Sequence, residues 1–272
     1  MILFLPLLAS AQGAQPVATP TEDLQYYLTA FSETDGSKAD TEAFTEFVDK
    51  LEHKRSSCKD DHAFLRLVFS KTHQQFLRNY QDFASFSALL NKGTYNCLTG
   101  TALYALILDH FGIDYQVIET NYHIFLLATT AKGNILFEAT DPNSGFVEDA
   151  GQIEKRIATY KENTIQEKRS DKTYYRLTCE LYKSVSLEEM TGLLHYNLAI
   201  EAYNNHQLQT SIAHLDQAAT VYHSQRMEEL TRIILLSVIE SKLDMAAKES
   251  CIKRIQTVRK RNTMAIASAG AY

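Results

Sequence analysis

Apolar residues recur at spacings of three and four over residues 23–90, and this pattern predicts helices. Phe44 and Val48, for example, fall on one helix face. Polar segments at residues 33–40 and 56–61 interrupt the pattern. We therefore predict two or three helices in this part of the chain.

Apolar residues again follow helical spacing between Cys97 and Phe111. Asn96 is a residue type that favours the N-cap position, and Gly112 fits the position just after a helix end. We therefore predict a buried helix whose first residue is Cys97.

After Gly112 the spacing of apolar residues changes to two, which is typical of strands. We predict three strands and then a helix, at residues 115–119, 123–128, 135–140 and 148–160. The predicted fold class is α+β, with a small antiparallel sheet packed against the helix that begins at Cys97.

The pattern is helical again from residue 187 to residue 262. Leu198, Tyr203 and Leu215 occupy positions that resemble one tetratricopeptide repeat. Because one repeat unit cannot bury its own apolar face, we expect this region to pack on the preceding domain or on a partner protein. Residues 263–272 are predicted to form a flexible tail.

Residues 1–11 form a short apolar run that ends in Ala-Ser-Ala, the pattern of a signal-peptide cleavage site. The run is too short to span a bilayer, and we predict no other membrane segment. We therefore expect export to the periplasm or secretion, with residues 12–22 as a flexible tether. A buried apolar N-terminal segment is the alternative interpretation.

The net charge of −6 over 272 residues gives the chain no attraction to nucleic acid. No Gly-rich phosphate loop or HExxH zinc motif occurs in the sequence. The four cysteines, Cys58, Cys97, Cys179 and Cys251, show no CxxC spacing. We therefore expect neither a cofactor nor a metal ion. Export would permit one disulfide among the three cysteines other than Cys97, but the sequence does not select the pair.

Cys97 is the first candidate for chemistry. A helix N-terminus carries about half a positive charge, which stabilises a thiolate. A thiolate there can attack a carbonyl group while nearby backbone N–H groups hold the oxyanion. A buried structural cysteine is the alternative interpretation.

His123 and Asp141 are the candidate partners of this cysteine. In a hairpin that turns on residues 131–133, His123 would pair directly with Asp141 across the ladder. The carboxylate could then hold the imidazole in one tautomer, with its other nitrogen free for the thiol. A shift of one residue would separate the two side chains. Glu138 either hydrogen-bonds near the site or lies on the solvent side of its strand, and the sequence leaves both open.

Four further residues are candidates for supporting the site. The hydroxyl of Tyr95 or Tyr80 could help to stabilise an oxyanion, and Gln75 could supply a side-chain amide donor. Asn96 would cap the helix that carries the cysteine. For Gln75, a place on a helix surface is the alternative.

Three blocks of sequence together resemble the transglutaminase-like superfamily, whose members have a papain-like fold. They are GTYNCLTGTALYAL at residues 93–106, YHIFL at residues 122–126 and FEATDPNSGF at residues 137–146. The resemblance implies a transglutaminase-like domain over residues 23–180 with a Cys97–His123–Asp141 triad. The helical region after it is similar to that of proteins which join such a domain to tetratricopeptide repeats. The chain departs from the family pattern because it contains no Trp.

Two functions follow from this interpretation. In the first, Cys97 attacks an amide or ester carbonyl of a peptide or protein, and His123 and Asp141 assist. Water or an amine then resolves the acyl-enzyme, and we favour hydrolysis because water is always present. In the second, the domain is a non-catalytic scaffold that binds a protein partner through its helical tail. A scaffold would bury Cys97 away from solvent.

Overall fold

Ten helices and seven strands form the part of the chain that the computed structural model describes, residues 20–162 and 181–269. The helices are α1 (Pro20–Ser32), α2 (Glu42–Arg55), α3 (Asp61–Gln75), α4 (Phe86–Lys92), α5 (Cys97–His110), α6 (Ala150–Glu162), α7 (Leu187–Asn204), α8 (Leu208–Ala218), α9 (Gln225–Glu240) and α10 (Met245–Ala269). The strands are β1 (Asn79–Tyr80), β2 (Thr94–Tyr95), β3 (Tyr115–Thr120), β4 (Ile124–Thr130), β5 (Gly133–Phe137), β6 (Phe146–Val147) and β7 (Tyr182–Val185). The fold class is α+β, as predicted. The predicted signal segment and residues 12–19 of the predicted tether lie outside the described residues, and the tether is wrong for residues 20–22, which begin α1.

The N-terminal helices end and begin where polar segments interrupt the apolar pattern. The break between α1 and α2 lies in the predicted loop at residues 33–40, and α3 begins at the second predicted break. Asp60 caps α3 by accepting a hydrogen bond of 2.8 Å from the backbone N–H of Ala63. The short helix α4 was not predicted, because its seven residues are too few to establish a helical period.

Five strands form an antiparallel sheet in the order β6-β5-β4-β3-β7. Strand β5 ends at Phe137, which is three residues earlier than predicted. Thr130 pairs with Gly133, so the β4–β5 hairpin turns on two residues and not on three. The predicted register is therefore wrong by one residue. This shift changes which side chains share a face near the site.

Helix α5 lies against one face of the sheet, and α6 covers the other. Eleven of the fourteen residues of α5 are buried, so this helix is the centre of the main hydrophobic core. A smaller core on the opposite face includes Phe125 and Leu136 from the strands and Ile153 from α6. Side chains that alternate along β4 therefore enter different cores.

The C-terminal helices pack on the preceding elements and share their core. Helix α7 contacts α1 and α5, and strand β7 joins the edge of the sheet beside β3. The carboxylate of Glu119 on β3 is buried and accepts hydrogen bonds of 2.8 and 2.9 Å from the hydroxyl of Tyr222. Arg226 on α9 forms a salt bridge with the same carboxylate. Polar contacts as well as apolar ones therefore hold the helical region on the sheet.

The last helix extends further than the sequence suggests. Helix α10 continues to Ala269, so the predicted flexible tail is wrong for residues 263–269. The remaining residues, 270–272, lie outside the described part. Within the described ranges, no helix combines the length and the hydropathy that crossing a membrane requires.

We expect Tyr222→Phe to destabilise the fold by about 1.5–3 kcal/mol, the range for a hydrogen bond to a charged group. The variant removes the hydroxyl donor from a carboxylate that is 1% exposed, while the ring still fills its site. Urea unfolding followed by circular dichroism measures the change. Tyr203→Phe is the matched control, because the Tyr203 hydroxyl bonds the neutral Ser237 hydroxyl at 3.1 Å. Equal effects of the two variants would contradict the prediction.

Candidate active site

Cys97 is the first residue of α5, and Asn96 fixes the start of that helix. The Asn96 side chain accepts a hydrogen bond of 2.9 Å from the N–H of Thr99, whose hydroxyl in turn accepts from the N–H of Asn96 at 3.0 Å. This reciprocal capping box holds the first turn in place. Cys97 is partly exposed, and the N–H groups of Cys97 and Leu98 are the first two of the helix. They are the candidate donors to an oxyanion.

The β3–β4 hairpin holds His123 beside this helix. The backbone carbonyl of His123 accepts hydrogen bonds from the N–H of Thr120 at 2.8 Å and from its hydroxyl at 3.0 Å. The hydroxyl of Thr101 on α5 donates to the carbonyl of Ile124 at 3.4 Å, which ties the helix to the start of β4. His123 and Cys97 line the same cavity, and the Cys97 side chain is one of the groups that raise the pKa of the imidazole.

Glu138 is the carboxylate that contacts the imidazole. Its Oε2 lies 2.5 Å from His123 Nε2, so Nδ1 is the ring nitrogen that remains for the thiol. The hydroxyl of Tyr160 on α6 donates to the same oxygen at 2.7 Å. The other oxygen accepts from the N–H of Thr140 at 3.1 Å and from its hydroxyl at 2.6 Å. A carboxylate that is 3% exposed is thus fully hydrogen-bonded.

The predicted pairing of His123 with Asp141 is wrong. The observed register places Glu138, two residues beyond Leu136, on the His123 face, and β5 ends before Asp141. The Asp141 carboxylate instead accepts hydrogen bonds of 2.9 Å from the N–H of Ser144 and 3.0 Å from Arg156. Asp141 therefore closes the loop that follows Glu138, and its carboxylate is engaged away from the imidazole.

His123 and Glu138 carry opposite charges, and each residue stabilises the charged form of the other. Burial by itself lowers the pKa of His123, but interactions with the Cys97 and Glu138 side chains outweigh burial and raise that pKa to about 10. Burial by itself raises the pKa of Glu138, but the hydrogen bond and charge of His123, with help from Thr140 and Tyr160, lower it to about 2. At neutral pH the pair is therefore an imidazolium and a carboxylate.

Tyr160 was not identified from the sequence. Its ring centroid lies 4.6 Å from that of His123 and 5.1 Å from that of Phe125, so it covers the imidazole from the α6 side. Burial and the Glu138 carboxylate raise the pKa of Tyr160, which keeps its hydroxyl protonated as a donor. No pattern in the sequence connects this helix residue to the strand, because the contact depends on how α6 lies on the sheet.

Two glycines allow the site elements to approach closely. A Cβ atom at Gly100 on α5 would lie 2.8 Å from the Cβ atom of Ala139, next to Glu138. A Cβ atom at Gly145 would lie 2.3 Å from the carbonyl oxygens of Asp141 and Glu138. A side chain at either position would push the loop after β5 away from its present place. The distance between α5 and the Glu138 loop therefore depends on these glycines.

The other predicted site residues are Tyr95, Tyr80 and Gln75, and they differ in their position relative to Cys97. Tyr95 is buried beneath the start of α5. Its burial and, to a smaller extent, the charge of Glu138 raise its pKa. Tyr80 is exposed to solvent and packs edge-on against Tyr95, with ring centroids 6.0 Å apart. Gln75 is exposed at the end of α3 and lines neither cavity beside Cys97. Gln75 is therefore not placed to donate to an oxyanion.

Two cavities meet at Cys97, which lines both of them. The smaller, of about 280 Å³, is mostly apolar and also contains His123. The larger, of about 1080 Å³, extends from Cys97 toward the end of α9. Helix α7 forms a wall of both cavities. The two cavities therefore form one groove that passes Cys97.

Cys58 and Cys251, the other cysteines in the described part of the chain, do not line this groove. Cys58 and Cys251 are free thiols, and Cys179 lies outside the described residues. In residues 20–162 and 181–269, no group of three or more His, Cys, Asp or Glu side chains is arranged to hold a metal ion.

The fold and the site define a class of protein by their geometry: an α+β chain with a cysteine at a helix N-terminus, a histidine and a buried glutamate linked beside an open groove. No protein-family model matches the chain, and no curated protein or solved structure matches it either. The resemblance to the transglutaminase-like superfamily therefore stays a prediction that rests on the three sequence blocks.

Proposed function

We propose that this protein is a cysteine acyl-transfer enzyme of the transglutaminase-like type, with a papain-like core, which hydrolyses an amide bond in a peptide or protein. The single observation that carries the proposal is that His123, which hydrogen-bonds the buried carboxylate of Glu138, lines the same cavity as Cys97. A nucleophile, a base and a group that orients the base are the parts that such chemistry requires. We replace Asp141 of the predicted triad with Glu138.

In the proposed mechanism the Cys97 thiolate attacks the carbonyl carbon, and the oxyanion accepts hydrogen bonds from the N–H groups of Cys97 and Leu98. The His123 imidazolium then donates its Nδ1 proton to the leaving amine, and the C–N bond breaks. Neutral His123 next takes a proton from water, which attacks the thioester. Collapse of the second intermediate releases the acid and returns the thiolate and the imidazolium.

Glu138 keeps His123 productive through this cycle. Its carboxylate accepts from Nε2, so the tautomer of neutral His123 has its proton on Nε2 and a free lone pair on Nδ1. Because the pKa of Glu138 is about 2, the carboxylate remains ionised at neutral pH. Thr140 and Tyr160 occupy its remaining acceptor sites and hold it in one orientation.

The partial exposure of Cys97 favours the enzyme over the scaffold. A scaffold has no need to present a thiol to solvent, whereas Cys97 lines both cavities. Export, on the pattern of residues 1–11, would bring the enzyme to peptides and proteins outside the cytoplasm. The groove is open on both sides of Cys97, so an amine in place of water could reach the acyl-enzyme. Transamidation is therefore the alternative reaction of the same intermediate.

We expect iodoacetamide at about pH 6 to alkylate Cys97 at least about tenfold faster than Cys58, because an imidazolium and a helix N-terminus favour the thiolate. Peptide mass spectrometry of timed samples measures each adduct. His123→Ala should slow the reaction at Cys97 and leave that at Cys58 unchanged. A Cys97 that reacts no faster than Cys58 would overturn the enzyme and favour the scaffold, whose partner would be sought on the helical tail.

A further inference from the structure

The groove at Cys97 has two chemically different arms. The shared lining residues of the two cavities are Phe83, Cys97, Leu98, Tyr122, Asn197 and Asn204. Beyond these, four of the eight residues that line the smaller arm have apolar or aromatic side chains, Ile124 and Leu193 among them. The charged Arg226 and His123 of this arm are paired with Glu119 and Glu138. The larger arm contains two carboxylates, those of Asp82 and Glu240, and neither Lys nor Arg.

Asn197 and Asn204 lie two turns apart on the face of α7 that forms the wall of both arms. In the part of the chain that the structure describes, neither side-chain amide has a hydrogen-bond partner, although each can donate and accept. Seven residues of helix span about 10 Å, which is also the length of about three residues of extended peptide. Two amides at this spacing can bind the main chain of a peptide that runs along the groove.

The backbone at the rim of the groove adopts a costly conformation. Among the described residues, two that are not glycine have a positive φ: Phe83 at 60° and His206 at 58°. Both line the larger arm. Such backbone is strained in residues other than glycine and is concentrated at functional sites. The two strained positions therefore shape the same surface, that of the larger arm.

The position of His123 orients a substrate in the groove. The imidazole must protonate the leaving amine, and it lines only the smaller arm. The leaving-group side of the substrate therefore occupies the smaller, apolar arm, and the acyl side occupies the larger arm. This step rests on the function proposed above.

We propose that the groove binds an extended peptide with a basic residue before the cleaved bond and an apolar residue after it, and that α7 holds its main chain through Asn197 and Asn204. The carboxylates of Asp82 and Glu240 attract the basic side chain, and the apolar arm buries the other. The helical region is then a wall of the substrate site as well as a packing unit.

Binding to the full-length Cys97→Ala variant tests the proposal without turnover. The probe is a fluorescein-labelled Gly-Gly-Lys-Leu-Gly-Gly peptide, and fluorescence anisotropy measures its Kd. We expect Asn197→Ala and Asn204→Ala, each added to this variant, to raise the Kd by about fivefold or more, the effect of one lost hydrogen bond. Asn205→Ala is the matched control, because Asn205 follows the helix and lines neither arm. A peptide with Glu in place of Lys should bind more weakly, and Glu240→Gln should narrow that difference at low salt.

The outcomes separate this inference from the proposed function. Equal binding of the Lys and Glu peptides, or a Kd that Asn197→Ala and Asn204→Ala leave unchanged, would overturn the peptide groove even if Cys97 alkylates rapidly. Binding that depends on both asparagines would support the groove even if Cys97 proves inert to iodoacetamide. In that case the enzyme fails, and the groove is a peptide-binding site.

Discussion

Glu138→Gln is expected to lower kcat/KM for peptide hydrolysis by about two to four orders of magnitude. Thr140 donates two hydrogen bonds to Oε1, so the amide oxygen of Gln would occupy that position. The amide NH₂ would then face His123 Nε2 and the Tyr160 hydroxyl, both of which donate to the carboxylate at present. Neutral His123 would accept at Nε2 and carry its proton on Nδ1, which is the wrong tautomer for the thiol.

Asp141→Asn is the matched control, and it should leave kcat/KM within about threefold. Asn retains the oxygen that accepts from the N–H of Ser144, and the loop keeps its main-chain hydrogen bonds. The kcat/KM values of both variants and of wild type are measured with the Gly-Gly-Lys-Leu-Gly-Gly peptide, after circular dichroism has shown that each variant is folded. A large loss in Asp141→Asn with little change in Glu138→Gln would restore the triad predicted from the sequence.

The free energy of unfolding should depend on pH through His123 and Glu138. The pKa of His123 is raised to about 10 in the fold, so its stabilisation is complete below its unfolded pKa of about 6.5 and is lost as pH rises toward 10. The pKa of Glu138 is lowered to about 2, so its contribution is complete above about pH 4.5 and is lost as pH falls toward 2. The stabilisation from the pair is therefore greatest between about pH 4.5 and 6.5, and loss of one partner there costs about 3–5 kcal/mol.

Urea unfolding across this range, in wild type and His123→Gln, measures the effect. The difference in unfolding free energy between the two should be largest in that window and should fall on both sides of it. His53→Gln is the control, because His53 is exposed in the last turn of α2. A His123→Gln curve that runs parallel to wild type at all pH values would show that the ion pair does not stabilise the fold.

The local sequence was sufficient to predict the helix that carries the cysteine. Asn96 caps α5, the helix begins at Cys97, and Gly112 follows its end with a φ of +61°, as predicted. These features depend on side chains within a few residues of the helix ends. The α+β class and the three central strands were predicted for the same reason, since their periodicity is local.

The carboxylate partner of His123 was not correctly predicted, because strand register is a property of the hairpin as a whole. A turn of two residues and a turn of three residues are both compatible with residues 131–134, and the choice decides whether Glu138 or Asp141 reaches the imidazole. Tyr160 and the α7 wall of the groove depend on packing between distant segments, for which the sequence carries no local signal.

The separation of contacts along the chain has a consequence for the order of folding. The His123–Glu138 contact joins residues 15 positions apart, whereas the contacts of Glu119 with Tyr222 and Arg226 join residues 103 and 107 positions apart. Closing a long loop costs more entropy and slows folding. By this argument the histidine–carboxylate pair can form while the helical region is still unfolded, and the α7 wall of the groove forms after it. During synthesis, the contacts around His123 can therefore form before the α7 wall of the proposed substrate groove is in place.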